Sequence, residues 1–358
     1  MMIADDYTES PGSVLLKFST CLVVLISFLW VIRSFKKIRI RGIHRICLLW
    51  MLIMPIIMFL NHAHISEYLS TILWPLFFEV GFIFTSLERK QLKHIRILFI
   101  FVFLIGLYFF IQSLFWGKVD QTNTIYFPLL TAPFLLCCRN QRLQLVILIG
   151  ISLLGVCSFK RSVLLVVLLL WLFYFLQIVR NNRNIILILG IASAIILGGV
   201  FALKRINQAS GGILETRVEK AQEDDGGGRL NIYPVVLTMI DTSSTIQKFI
   251  GHGHMGVRRD SPLELSAHND FLEVLYDYGL IIFILYLALW YYVIKRLVYH
   301  IRINSIYSLP YFCSFAIFLL LSMVSHLILY ASYFNYLVMF WGCMEGLKDK
   351  DLLSIKKH

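Results

Sequence analysis

The 358-residue sequence predicts an all-α polytopic membrane protein of about 11 transmembrane helices (10 to 12), with one large extracytoplasmic loop carrying short helices. Three observations predict it. Apolar residues make up 58% of the chain and charged residues only 15%, with a mean hydropathy of +0.76, too little polar surface for a soluble domain. The apolar residues fall in runs near bilayer length, and the Lys and Arg residues fall in alternate links between those runs.

Taken in order, the predicted spans are 13–32, 46–61, 68–86, 97–115, 124–138, 143–158, 162–179, 184–203, 271–294, 309–329 and 331–347. Runs 46–61, 124–138 and 143–158 fall short of the roughly 20 residues of a perpendicular crossing, and imply snorkelling flanks or irregular chain. Helices must alternate in direction, and the basic residues agree. One side receives the Arg33 to Arg45 cluster, the Arg89 to Arg96 cluster, Arg139 and Arg142, Arg180 and Arg183, Lys295 to Arg302, and the tail from Lys348 to Lys357. That side reads as cytoplasmic, and the C-terminus with it. The opposite side receives Asp5, Asp6 and Glu9, the links 62–67 and 116–123, the Lys160-Arg161 pair and the long loop 204–270. The chain begins at its first span without a cleavable signal pattern.

The net charge of +12 is largely topological, because the loop itself holds eight Lys and Arg against nine Asp and Glu. It therefore gives no reason to expect a nucleic-acid partner. Cysteines 21, 47, 137, 138, 157, 313 and 343 lie in or beside the spans, so no structural disulfide is expected. CxxC, HExxH and EF-hand spacings are absent, and the Gly251-His252-Gly253-His254 pair reads better as a turn than as a metal site. No metal or cofactor is predicted.

Three places put polar chemistry at the extracytoplasmic membrane surface. Lys160 and Arg161 break the positive-inside pattern, and serve either as interfacial anchors or as a receptor for a phosphate group, for which the Arg161 guanidinium offers a planar fork. In Asp224-Asp225-Gly226-Gly227-Gly228-Arg229, flexible glycines deliver Arg229 to a helix start, where the dipole disfavours a cation and an anionic partner would help. His268 and Asn269 open the ninth span. There an imidazole can take a proton from a hydroxyl near neutral pH, and Asp270 with Glu273 resembles a capping box. Arg258, beside Arg259 and Asp260, is a weaker candidate for phosphate or glycan contact, with simple solvation as the alternative. The other histidines, His326 among them, read as ordinary packing or surface residues. Tyr233, Tyr276 and Tyr278 read as packing or belt residues.

Three stretches together carry a resemblance: Gly228-Arg229-Leu230, Ile250-Gly251-His252-Gly253, and His268-Asn269-Asp270-Phe271-Leu272-Glu273 running on to Tyr278-Gly279-Leu280. In that order, on a polytopic background, the chain resembles the O-antigen ligase and surface polysaccharide polymerase family. It departs from that family's usual even number of helices. The resemblance implies a metal-independent glycosyltransferase of the bacterial cytoplasmic (inner) membrane, acting outside it on a glycan linked through pyrophosphate to undecaprenol. It implies that His268 takes the proton of the acceptor hydroxyl. Arg161, Lys160 and Arg229 would then bind the pyrophosphate leaving group, with Asn269 and Arg258 as further substrate contacts.

The acceptor divides the activities. A polymerase joins the chain to the next lipid-linked repeat unit to make O-antigen, capsule or exopolysaccharide, and the compact loop favours that reading. A ligase would transfer the chain to lipid A-core. A chain-length regulator is a possible further partner. A flippase or exporter of lipid-linked glycans is the alternative outside enzymes. It should place charges such as Glu79 at the bilayer midplane and show two similar halves, which this sequence lacks. A structural envelope partner is the third reading.

Overall fold

The computed structural model describes residues 42–87, 91–116, 123–158, 160–181 and 229–347, and every regular element among them is a helix. The segments 13–32 and 184–203, loop residues 204–228 and the tail from 348 lie outside the described residues.

Helices α1 (Gly42–Leu60), α2 (Ile65–Leu87) and α3 (Gln91–Trp116) run back and forth. A turn at Asn123–Ile125 then leads into α4 (Tyr126–Leu136). Helices α5 (Gln141–Cys157) and α6 (Arg161–Asn181) complete the first half. The described part of the loop carries α7 (Arg229–Thr242), α8 (Thr245–Ile250) and α9 (Gly256–Asp260). Three helices follow: α10 (Asp270–Arg302), α11 (Ser308–Val324) and α12 (Ala331–Gly346).

Among the described residues, four helices are long and apolar enough to cross a membrane: α1, α6, α10 and residues Gln91–Ser113 of α3; shorter apolar helices accompany them. Their outward faces are apolar, as lipid contact requires. Leu52, Ile56 and Phe59 of α1, Phe101 and Ile105 of α3, and Leu168 and Leu172 of α6 are all exposed. The short run at 124–138 is an 11-residue helix buried from Pro128 to Leu136, so its interrupted backbone is enclosed by protein and not by lipid.

Among the described residues the closest packing joins α2 to α12, and small residues make it possible. A Cβ on Gly342 would stand 3.0 Å from Phe82 N, and one on Gly346 would stand 2.5 Å from Phe82 O. Gly342 and Gly346 are four apart on one face of α12, a small-residue spacing that lets backbones approach. Thr85 Oγ1 uses the approach to donate to Cys343 O at 2.9 Å. Glu79 does not stand alone in the apolar core. Its carboxylate meets His44 Nδ1 at 2.8 Å, with the two residues 1% and 2% exposed, so the charge suggestive of a transporter ties α1 to α2.

The sequence-predicted boundaries differ from the helices most instructively at two places. Helix α10 is interrupted at Gly279 (φ 73°, ψ −179°) and extends to Arg302, so the span read as 271–294 is longer and broken. The run read as 309–329 stops at Val324. Its last residues are drawn out of the helix because the Asp270 carboxylate takes the N–H groups of Leu327 at 2.9 Å and Ile328 at 3.3 Å.

The helix ends sort into two groups. Arg180 at the end of α6 donates to Ile301 O at the end of α10, and Arg296 pairs with Glu345 near the end of α12. The loop, the α1–α2 turn and the starts of α4, α6, α10 and α12 gather at the opposite end, where Asn61 Nδ2 donates to Ile250 O at 2.9 Å.

Candidate active site

The loop docks onto the break in α10 by backbone contact. His252 N–H donates to Tyr276 O at 3.0 Å and Gly253 N–H to Asp277 O at 2.8 Å. Asp277 Oδ1 in turn accepts from Val257 N–H at 2.9 Å, closing the start of α9. The Gly251 backbone (φ 78°) passes so near that a Cβ would lie within 2.5 Å of Tyr278 N. A Cβ on Gly279 would lie within 2.5 Å of Gly251 N. Two of the stretches that carry the resemblance, around residues 251 and 279, are thus the two sides of one contact.

The histidines between the glycines serve that contact. His252 stacks on Tyr276 with centroids 4.0 Å apart, and its Nε2 meets Ser243 Oγ at 2.8 Å. His254 Nδ1 bonds the Tyr278 hydroxyl. Burial holds both imidazoles below their ordinary pKa. Arg259 pairs with Asp260 at 2.8 Å and donates to His252 O at 2.7 Å, and the hydrogen bond to Asp260 strengthens its hold on its proton. Beneath them Ile232, Val236, Val257, Ala267 and Tyr276 form a small apolar core of their own.

His268 stands at the end of this docked loop in the left-handed conformation (φ 53°), which a non-glycine residue adopts at a cost of about 1 kcal/mol or more. Its N–H donates to Glu273 at 3.0 Å. The same carboxylate accepts from His326 Nδ1 at 2.9 and 3.0 Å, and the His326 ring lies 4.2 Å from the His268 ring. Glu273 is 1% exposed and His326 13%, while His268 is half-buried. The predicted capping box does not form. Asn269 is the N-cap, its Oδ1 accepting from Phe271 and Leu272 N–H, which frees Asp270 and Glu273 to reach outside their own helix.

A row of rings runs from this cluster to the basic pair. His326 and Tyr330 lie 5.8 Å apart, Tyr330 and Tyr333 6.2 Å, and Tyr333 and Tyr126 6.0 Å. The Tyr126 hydroxyl then meets Ser162 Oγ at 3.1 Å, next to Arg161. Arg161 is exposed and Lys160 half-buried at this end of the bundle, so they share the face with His268 but stand across the tyrosines from it. Arg258 acts on Tyr330: burial and the charge of Glu273 raise that phenol above its usual range, and the guanidinium opposes them. Arg229 begins α7, which is tied to the same end by the Tyr233 hydroxyl donating to Met323 O at 3.3 Å. The Arg229 side chain lies outside the described residues.

Chemically, the cluster offers a half-exposed imidazole beside a second imidazole whose Nδ1 is held by a buried carboxylate, with cations on the same face. Such a set can accept a proton from a hydroxyl and bind an anion nearby. Sequence reasoning singled out His268 but not the residues that touch it. His326 lies 53 residues from Glu273 with no local pattern to mark it, and Glu273 was absorbed into the capping-box reading.

Neither the curated proteins nor the solved structures provide a match. A family model described as O-antigen ligase matches residues 144–287, from within α5 through the loop into α10. The chain thus has several apolar helices long enough to cross a membrane, and over residues 144–287 it is similar to the O-antigen ligase family.

Proposed function

We propose that the protein is a glycosyltransferase that polymerises undecaprenyl-pyrophosphate-linked oligosaccharide into surface polysaccharide by metal-independent, inverting transfer. The observation that carries this reading is His268, held at the loop end beside Glu273 and His326, on the same face as Lys160 and Arg161. The face is extracytoplasmic in this account. The described basic residues Arg139, Arg142, Arg180 and Lys295 belong to the opposite group of helix ends, where the positive-inside rule puts the cytoplasm.

His268 removes the proton of the acceptor hydroxyl as its oxygen attacks the anomeric carbon. The C–O bond to pyrophosphate breaks on the far side, which inverts the centre. Negative charge develops on the pyrophosphate, where Arg161, Lys160 and Arg229 stabilise it. A general base of this kind contributes about 10²- to 10⁴-fold. Arg258 and the row of tyrosines between the two groups suit contacts to sugar hydroxyls and faces. Asn269 acts through its cap, which fixes where His268 leaves the helix.

The ligase reading, transfer to lipid A-core, has the description of the matching family model in its favour. One experiment separates the readings: wild type, H268A and R161A compared in the native host at matched membrane level, with lipid-linked and surface glycans resolved by length. Both variants are expected to lose long surface chains. Accumulation of single repeat units supports the polymerase, and accumulation of long lipid-linked chains supports the ligase. Long surface chains at wild-type amounts in H268A would remove His268 from the chemistry.

A further inference from the structure

Glu273 sits in the first turn of α10, where a carboxylate ordinarily bonds the N–H groups of its own helix start. Here Asn269 takes those donors, and Glu273 reaches back to the His268 N–H and across to His326. One carboxylate therefore holds His268 from two sides, through its main chain and through the His326 ring that lies tilted against its own ring at 4.2 Å. His326 is itself held in place by the same helix turn, since Asp270 pins Leu327 and Ile328 beside it. Nothing in the apolar packing calls for this. A carboxylate removed from water is costly unless its oxygens are bonded, and removing either partner would leave it exposed to that cost.

We propose that Glu273 and His326 are positioning residues for His268, and that they offset the positive charge His268 gains when it deprotonates the acceptor. The inference rests on His268 being the base. In the step, the acceptor proton passes to a His268 ring nitrogen. The acceptor oxygen bonds the anomeric carbon, and the electron pair of the broken C–O bond leaves on pyrophosphate. His268 is then an imidazolium beside a carboxylate that His326 links to it, and it returns its proton to solvent as products depart. With Glu273 accepting at Nδ1, a neutral His326 keeps its basic lone pair on Nε2.

Other groups facing the pair include Asp270, Asp277 and Tyr278 on the same helix, Tyr330 from the α11–α12 connection, and Arg258 from α9. Glu273 bonds both histidine positions. Two imidazolium rings 4.2 Å apart would repel, so a proton on His326 opposes one on His268. The two substitutions should therefore move the acid limb of the pH–rate profile in opposite directions. Loss of the carboxylate charge weakens His268 as a base and moves the limb to lower pH. Loss of the competing ring moves it to higher pH.

The test uses purified full-length protein in proteoliposomes. Its probe is the polyprenyl-pyrophosphate-linked glycan extracted from a host strain lacking the gene, with lipid A-core added, and transfer is followed between about pH 5 and 8. E273Q is expected to lower kcat about 10²-fold with little change in KM, and to move the acid limb down by about 1 pH unit. H326N keeps a donor for the carboxylate, and it should lower kcat while moving the limb up. It also serves as the second variant if E273Q does not reach the membrane. H268A separates the two levels of the argument. Wild-type transfer in H268A overturns the base assignment and this inference with it. Inactive H268A beside E273Q and H326N with wild-type kcat and an unmoved acid limb overturns this inference alone.

Discussion

Gly279 joins the loop to the membrane helices, and replacing it with alanine has a cost that can be worked from the structure. Its backbone (φ 73°, ψ −179°) occupies a region essentially reserved for glycine, which a side chain enters at about 1–3 kcal/mol. The new Cβ would come within 2.5 Å of Gly251 N, and because that neighbour is backbone, the loop must move away. Moving it breaks the His252 N–H bond to Tyr276 O and the Gly253 N–H bond to Asp277 O, each contributing about 0.5–1.5 kcal/mol. The expected loss is therefore about 2–6 kcal/mol, concentrated in the docking of the loop. Gly150 supplies the control, because a Cβ there meets nothing within 4 Å and alanine is the better helix former. Thermal unfolding in one detergent, with surface polysaccharide measured in cells, checks the pair. G279A should lower the midpoint and abolish long chains, while G150A should leave both unchanged or raise the midpoint slightly. Equal midpoints for the two variants would refute the argument that these backbones are in obligatory contact.

Asp270→Ala should destabilise the protein by about 2–5 kcal/mol, because it leaves the buried N–H groups of Leu327 and Ile328 without their acceptor; the same unfolding assay measures it. Activity should fall with it, since the freed segment carries His326. Acid should also loosen the loop. Burial depresses His252 and His254 in the folded state, so below their ordinary pKa of 6.5 the unfolded chain binds the protons first and stability falls. The unfolding midpoint is thus expected to drop as pH goes from 7 to 5, and H254Q should flatten that slope; an identical slope in wild type and H254Q would contradict it.

Much of the fold was legible because a bilayer leaves few options. Apolar runs near span length had to be helices, and helices stand over the nine proposed runs that fall within the described residues. What escaped was set by contacts distant in sequence. Val324 ends α11 because Asp270 competes for the N–H groups beyond it, and nothing near residue 324 announces that. Gly279 entered the sequence reading only through the motif that carries the resemblance and as part of the unbroken span 271–294, although the Gly251 backbone facing it makes it the place where α10 breaks. The small-residue spacing at Gly342 and Gly346 was visible but unread, and it builds the tightest helix contact among the described residues. In the candidate site, His268 and the basic pair were proposed from chemistry at a membrane surface, and they share one end of the bundle. Glu273 and His326 were not proposed, because a carboxylate three residues after a possible cap has an ordinary explanation and a histidine at a helix end has none that is specific.

The central claim is that His268 is the base of a glycosyl transfer from a polyprenyl-pyrophosphate donor without a metal. The measurement that tests it most directly is single-turnover release of polyprenyl pyrophosphate by the full-length protein in proteoliposomes, in buffer containing a chelator, for wild type and H268A. Release coupled to glycan transfer in wild type, slowed about 10²- to 10⁴-fold in H268A, is the predicted result. Release by H268A at the wild-type rate, or wild-type transfer abolished by the chelator and restored by a divalent cation, would contradict the account.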